Sequence, residues 1–329
     1  MKLTKIALLM AALSGQNVTA QQAQVADSPW GEDDELGQLN QMTAQKRIRL
    51  MATADWSRVF DLSVEYFIGM PSWQAAGDPT YQIWMTHTPK GSVVDNVLGQ
   101  GEKINQHVSY TGSAVSMYTH SGTHIDALNH FGLNGEIYNH FSADKYLGDK
   151  GWTRTGAETI PPVIARGVMI DIAASKKVSM LPDDYRITAN DIKQALEYQQ
   201  VELMPGDVVL IRTGRMQVYE NAQQYMQHAP GLGLDAARYL AEQAKAMIVG
   251  ADNLSFEAFP SELEGNYVPL HTYFLAQHGI PIMELVNLES LAKAQVYEFA
   301  FIGSSLKLRG ADAAPMRPIA VPLHSTGDK

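Results

Sequence analysis

The sequence predicts an α/β fold, a single mixed-sheet domain with a long insertion, and three observations carry that reading. Short apolar runs suited to buried strands recur at 167–172, 208–211 and 296–302. Segments with helical spacing lie between or beside them, at 43–52, 188–200 and 234–246. Strands alternating with helices place the helices on the faces of a sheet. Finally, 45% of the 329 residues are hydrophobic and 18% charged, which is enough apolar surface for one large core.

The chain opens with Lys2 and Lys5, continues through the apolar run Ile6–Leu13, and reaches the small residues Val18 and Ala20 before Gln21. Basic, apolar and small segments in that order predict a signal peptide over 1–20, too short to span a bilayer, and hence a periplasmic or secreted protein. Residues 21–40 are polar and acidic and read as a mobile leader. The main domain is expected over 41–310. Thr43–Ala52 reads as a helix, and Val59–Val64 alternates like a strand that ends before Gly69 and Pro71.

Residues 72–112 are rich in Gly, Gln, Thr and Asn and show no sustained period. A stretch of that length reads as an insertion: a lid, a binding loop, a dimer arm, or a surface excursion without a role. Its Trp73 and Trp84 suit either an aromatic substrate pocket or plain packing. Ala114–Tyr118 reads as a strand leading straight into a histidine-rich segment. Further on, Thr188 and Asp191 stand in capping positions ahead of Ile192, Ala195 and Leu196, which predicts a helix. Pro205 and Gly206 then turn the chain into the strand at 208–211. A short strand over Met247–Val249 ends at Gly250, and the Ala- and Pro-rich stretch 311–329 reads as a surface-hugging tail.

Composition removes several classes of function. The formal charge is −10, and losing Lys2 and Lys5 with a signal peptide makes the chain more acidic still, which argues against nucleic acid as a partner. The chain has no cysteine, which excludes disulfides, thiolate ligands and a cysteine nucleophile. No later segment resembles a membrane span. The serine-hydrolase elbow, the phosphate loop and the dinucleotide fingerprint are all missing.

Chemistry concentrates in the segment His120-Ser121-Gly122-Thr123-His124-Ile125-Asp126-Ala127-Leu128-Asn129-His130. The two imidazoles of His120 and His124 and the carboxylate of Asp126 stand so close along the chain that they can converge on one cation with little loop entropy to overcome. Such ligands suit zinc, manganese or ferrous iron, and Asp126 can hold one metal or bridge two. Gly122 permits a tight turn between the histidines. His140, farther along, reads as a surface or packing residue.

This segment resembles the signature of the cyclase family of metal-dependent hydrolases, which includes kynurenine formamidase and isatin hydrolase. His120, Gly122, Thr123, His124, Asp126 and His130 match it position by position, while Leu128 stands where many members have proline. The resemblance extends to Trp30–Asp34, Asp61–Ser63, Leu210–Gly214 and the stretch from His271 to Glu284. It implies a swivelling β/β/α domain in which His120, His124 and Asp126 bind a divalent metal, Zn or Mn. On the same resemblance His271 and Glu284 complete a second or shared site, so one or two ions are expected per subunit. The spacing from His271 to Glu284 is longer than in the short formamidases, and Gln277 is the alternative. His130 is implied as the catalytic proton-handling group.

A divalent cation lowers the pKa of water it binds to about 7 and polarises carbonyl oxygens, both of which favour acyl hydrolysis. The expected reaction is hydrolysis of a small amide, formamide or lactam, with an ester or lactone as the alternative bond. A periplasmic metal carrier without catalysis is the reading from another class. Relatives also imply a homo-oligomer. Asp252, Asn253 and Glu257 follow a strand end and are expected to shape the pocket.

Overall fold

A computed structural model describes residues 23–324, and the signal peptide expected over 1–20 lies outside the described residues. Its centre is a nine-stranded mixed sheet. In chain order the strands used below are β1 (Phe60–Asp61), β2 (Gln82–His87), β3 (Gly112–Ser116), β4 (His124–Asp126), β5 (Val163–Asp171) and β6 (Val208–Arg212). They are followed by β7 (Ile248–Ala251), β8 (Ile282–Glu284), β9 (Glu298–Gly303), β10 (Ala313–Pro315) and β11 (Ile319–Pro322). The large sheet runs β1-β11-β9-β5-β6-β7-β8-β4-β10, and β2 pairs with β3 apart from it.

Strands β5 to β8 are parallel, whereas β9, β11 and β1 on one side and β4 and β10 on the other run antiparallel. The parallel strands are apolar on both faces because both faces are covered. In β6, Val209 and Ile211 join one core cluster and Val208 and Leu210 the other. Burying each such side chain contributes about 1.5–3 kcal/mol.

Helices cover the first of these clusters. α1 (Ala44–Thr53), capped by Thr43, whose side chain accepts from the Lys46 amide, stands apart from it and buries Leu50 against Ala300 and Val321. The expected helix at 188–200 is α2 (Ala189–Gln199), with Thr188 and Asp191 closing a reciprocal capping box. The helix at 234–246 forms as α3 (Leu234–Arg238), which passes into a π-helical turn over Tyr239–Gln243. α4 (Pro269–His271) likewise runs into π-helical Thr272–Gln277. Among the described residues no helix is long and apolar enough to cross a membrane.

Several segments depart from the sequence reading. Residues 23–40 are docked: Val25 and Leu39 are buried, and the Asn139 side chain binds Ser28 and the carbonyls of Gly31, Glu32 and Asp34. Of the stretch 59–64 only β1 forms a strand, because the Asp61 carboxylate accepts from Ser63 and turns the chain. The insertion 72–112 carries regular structure: β2, the helices Pro89–Asp95 and Glu102–Asn105, and the start of β3. The strand expected at 114–118 is β3, which belongs to this arm and is separated from the histidine segment by a turn. Residues 313–322 are no surface tail, since β10 and β11 are strands of the large sheet.

Candidate metal centre

The sheet itself aligns the side chains read from the sequence. β4 is a three-residue strand whose alternation sends His124 and Asp126 to one face and Ile125 into the core. Its antiparallel neighbour β8 sets Glu284 directly opposite His124, with Met283 opposite Ile125 on the apolar face. Glu284 therefore stands on the same face as the two ligand candidates.

The turn before β4 is held from several sides. Gly122 has φ +60°, and an added Cβ would meet the ring of Tyr66. The Thr123 hydroxyl donates to the Leu285 carbonyl at 2.6 Å and accepts from the Val64 amide at 3.0 Å. His124 Nδ1 lies 2.7 Å from the Gly122 carbonyl, which fixes the ring with Nε2 turned toward the carboxylates.

His271 arrives from α4. Glu257 accepts from the Leu270 and His271 amides at 3.3 and 3.2 Å, which the helix start leaves without internal partners. Glu257 Oε1 also lies 2.6 Å from His271 Nδ1. That contact points His271 Nε2 at Glu284 Oε1, 3.4 Å away, and at Asp126 Oδ2, 3.9 Å away.

The result is one cluster. His124 Nε2 is 3.4 Å from Asp126 Oδ1 and 3.5 Å from Glu284 Oε2, and His120 Nδ1 meets Asp126 Oδ1 at 2.8 Å. Ligand atoms set tetrahedrally about an ion at 2.0–2.1 Å stand about 3.3 Å from one another, so these spacings are those of groups sharing a cation. Among the described residues two three-residue groups have metal-binding spacing, His120 with Asp126 and His130, and Asp126 with His271 and Glu284. Asp126 belongs to both. Gln277, the alternative partner read from the sequence, lies at the end of the π-helical turn that follows His271.

The donor set fits a divalent cation. His120 Nε2, His124 Nε2, both Asp126 oxygens and Glu284 Oε1 are buried without hydrogen-bond partners. Leaving a buried polar atom unsatisfied costs about 1–3 kcal/mol, more for a charged one. Electrostatics agree. Burial works against a charge on His120 and His271, yet Asp126 beside the first and Glu257 and Glu284 beside the second push both up to about 10. A potential that favours a proton on these rings also favours a metal in its place.

His130 is different. Its ring centroid lies 4.0 Å from that of His120, and burial, joined by the His120 charge, pushes it down to about 4. It therefore carries a free lone pair at neutral pH. Its Nδ1 is 3.7 Å from Asp312 Oδ2, while Asp312 Oδ1 is 3.5 Å from His120 Nε2 and accepts from Thr119 at 3.0 Å.

Asp312 escaped the sequence reading because its segment looked like coil; its only signal is its place just before a strand that pairs with β4. Glu257 was expected to shape the pocket, and the structure gives it the His271 contact instead. Asp252 accepts from Thr213 and Gly214 and ties β7 to the turn after β6; burial pushes its carboxyl up to about 6 against those bonds. Asn253 donates to the Pro230 carbonyl. His140 lies at the surface beside Glu136, Trp73 lines the cavity over the cluster, and Trp84 is exposed on the arm.

Fold and centre together define a class: a mixed-sheet α/β protein with a buried histidine–carboxylate cluster on one flank of the sheet. The Cyclase family model, described as putative cyclase, matches residues 60–258, and the chain belongs to that family. Among solved structures it is similar to one described as a novel cyclase, with 27% identity and a TM-score of 0.79 over 91% of this chain and 100% of that one. It shares its fold with isatin hydrolase A from Ralstonia solanacearum at 21% identity and a TM-score of 0.60, covering 80% of this chain and 92% of that one. An isatin hydrolase bound to the product analogue thioisatinate gives 21% and 0.60, over 86% and 100% of the two chains. No curated protein matches the chain. The family and mixed-sheet fold expected from the sequence are borne out.

Proposed function

We propose that the protein is a metal-dependent hydrolase that cleaves a carbon–nitrogen bond, other than a peptide bond, in a small amide, formamide or lactam. The observation that carries this reading is the convergence of buried side chains on two carboxylates: His120, His124 and His271 approach Asp126 at 2.8, 3.4 and 3.9 Å, and His124 and His271 approach Glu284 at 3.5 and 3.4 Å. The isatin hydrolases that share the fold support the hydrolytic part of it.

His120, His124 and Asp126, with His271 and Glu284, would hold one or two divalent ions, Zn or Mn. When bound, such an ion supplies an activated water and a Lewis acid for the acyl oxygen. His130, partly buried and neutral, accepts the proton as the water oxygen bonds to the acyl carbon, and returns it to the leaving nitrogen as the carbon–nitrogen bond breaks. Asp312 keeps the His130 ring turned to the centre. On the same reading residues 1–20 direct the chain to the periplasm or the medium.

The test pairs two variants with elemental analysis. His124→Ala should lose both metal and turnover, whereas His130→Ala should keep its metal and lose turnover by at least about 100-fold. Equal metal loss in the two variants would make His130 a ligand. Stoichiometric metal with no turnover on matched amide, lactam and lactone panels would leave a metal carrier, and turnover of the lactones alone would move the bond to an ester.

A further inference from the structure

The cavity above the centre has a composition that hydrolysis alone does not use. It encloses about 330 Å³, and among the described residues no Lys or Arg lines it. Trp73, Tyr118, Phe131, Phe259 and Tyr267 make much of its wall. The one charged lining residue outside the histidine–carboxylate cluster is Asp78, from the base of the arm. The carboxylates of Asp78, Asp312, Asp126 and Glu284 all bear on the Tyr118 hydroxyl, so negative potential reaches from the base of the cavity to its mouth. Divalent ions would neutralise the carboxylates at the base. Nothing in the lining neutralises Asp78.

We propose that the cavity takes a small aromatic substrate bearing an amine or quaternary ammonium group, held at the mouth by Asp78 beside Trp73 and Tyr267, with the scissile acyl group over the cluster. A cation beside aromatic rings is attracted by their quadrupoles, and more strongly where water is partly excluded. A carboxylate in the same place would meet Asp78 with no counter-charge. The acyl end of this assignment rests on the hydrolase reading; the cation end rests only on Asp78 and the aromatic wall.

The test uses the metal-loaded full chain and three para-substituted phenyl formamides that carry trimethylammonium, its neutral isostere tert-butyl, or carboxylate. The expected order of kcat/KM is ammonium above tert-butyl by about five- to thirtyfold, with carboxylate last. Asp78→Asn should bring the ammonium to tert-butyl ratio near one, and Asp78→Glu should retain the preference. Equal rates for the two isosteres in the native chain, or a preference that survives Asp78→Asn, overturns the proposal. If none of the three is hydrolysed, formamides are excluded as the scissile group, and calorimetric titration with benzyltrimethylammonium decides the cation site. Binding weakened by Asp78→Asn then supports it, and absent or unaltered binding overturns it.

Discussion

Glu257 shows how a single side chain can set the direction of another. Its carboxylate meets two backbone amides and the Nδ1 of His271, so the ring has one orientation and presents Nε2 to Asp126 and Glu284. A partner of this kind fixes a ligating histidine's tautomer and raises its basicity. Glu257→Gln should weaken metal affinity about 10–100-fold, measured by competition with a chromophoric chelator, and an unchanged affinity would reduce Glu257 to a helix cap. At this scale the sequence was legible only where residues are close along the chain. His120, His124 and Asp126 announce themselves by spacing; His271 and Glu284 entered through family resemblance. Asp312 had no local signal at all, because what makes it functional is a strand pairing across the sheet.

Elements were legible where both ends and faces carry chemistry. The helix α2 was readable because Thr188 and Asp191 cap it reciprocally and its apolar face is continuous. Burial works to raise the Asp191 carboxyl, but Lys176 and the Thr188 bonds outweigh it and hold it below 3.8. Asp191 therefore contributes stability that is full above its unfolded value near 3.9 and is lost as pH falls through the lower folded one. Urea midpoints between pH 7 and 3 should show native stability falling toward that of Asp191→Asn below about pH 4, and parallel curves would contradict the shift. The parallel strands were readable because they are buried on both faces. The arm was not: β2 is exposed along nearly its whole length, so no core face imposes a period on it. β10 hid because it is short and ends at Pro315, which the outermost strand of a sheet tolerates.

At the scale of the whole molecule, the arm keeps a group of large apolar side chains exposed among the described residues. On the arm, Ile83 stands opposite Val115 and both are exposed, as are Trp84, Met85, Val97 and Leu98. Apolar side chains left exposed in this way mark contact sites, and we propose that this ribbon carries the homo-oligomer contact expected from the sequence. Sedimentation velocity should give a dimer or larger species for the native protein and a monomer for the Ile83→Lys/Val115→Lys double variant; a native monomer would overturn the assignment. The neighbours of β4 carry a different consequence. The strand bearing His124 and Asp126 bonds on one flank to residues 282–284 and on the other to 313–315, both far downstream. As the ribosome extends the polypeptide, that strand must wait for partners until residue 315 has been made. The side chains that β4 and β8 set opposite each other, His124 and Glu284, therefore come together only after the chain has grown well past the histidine segment.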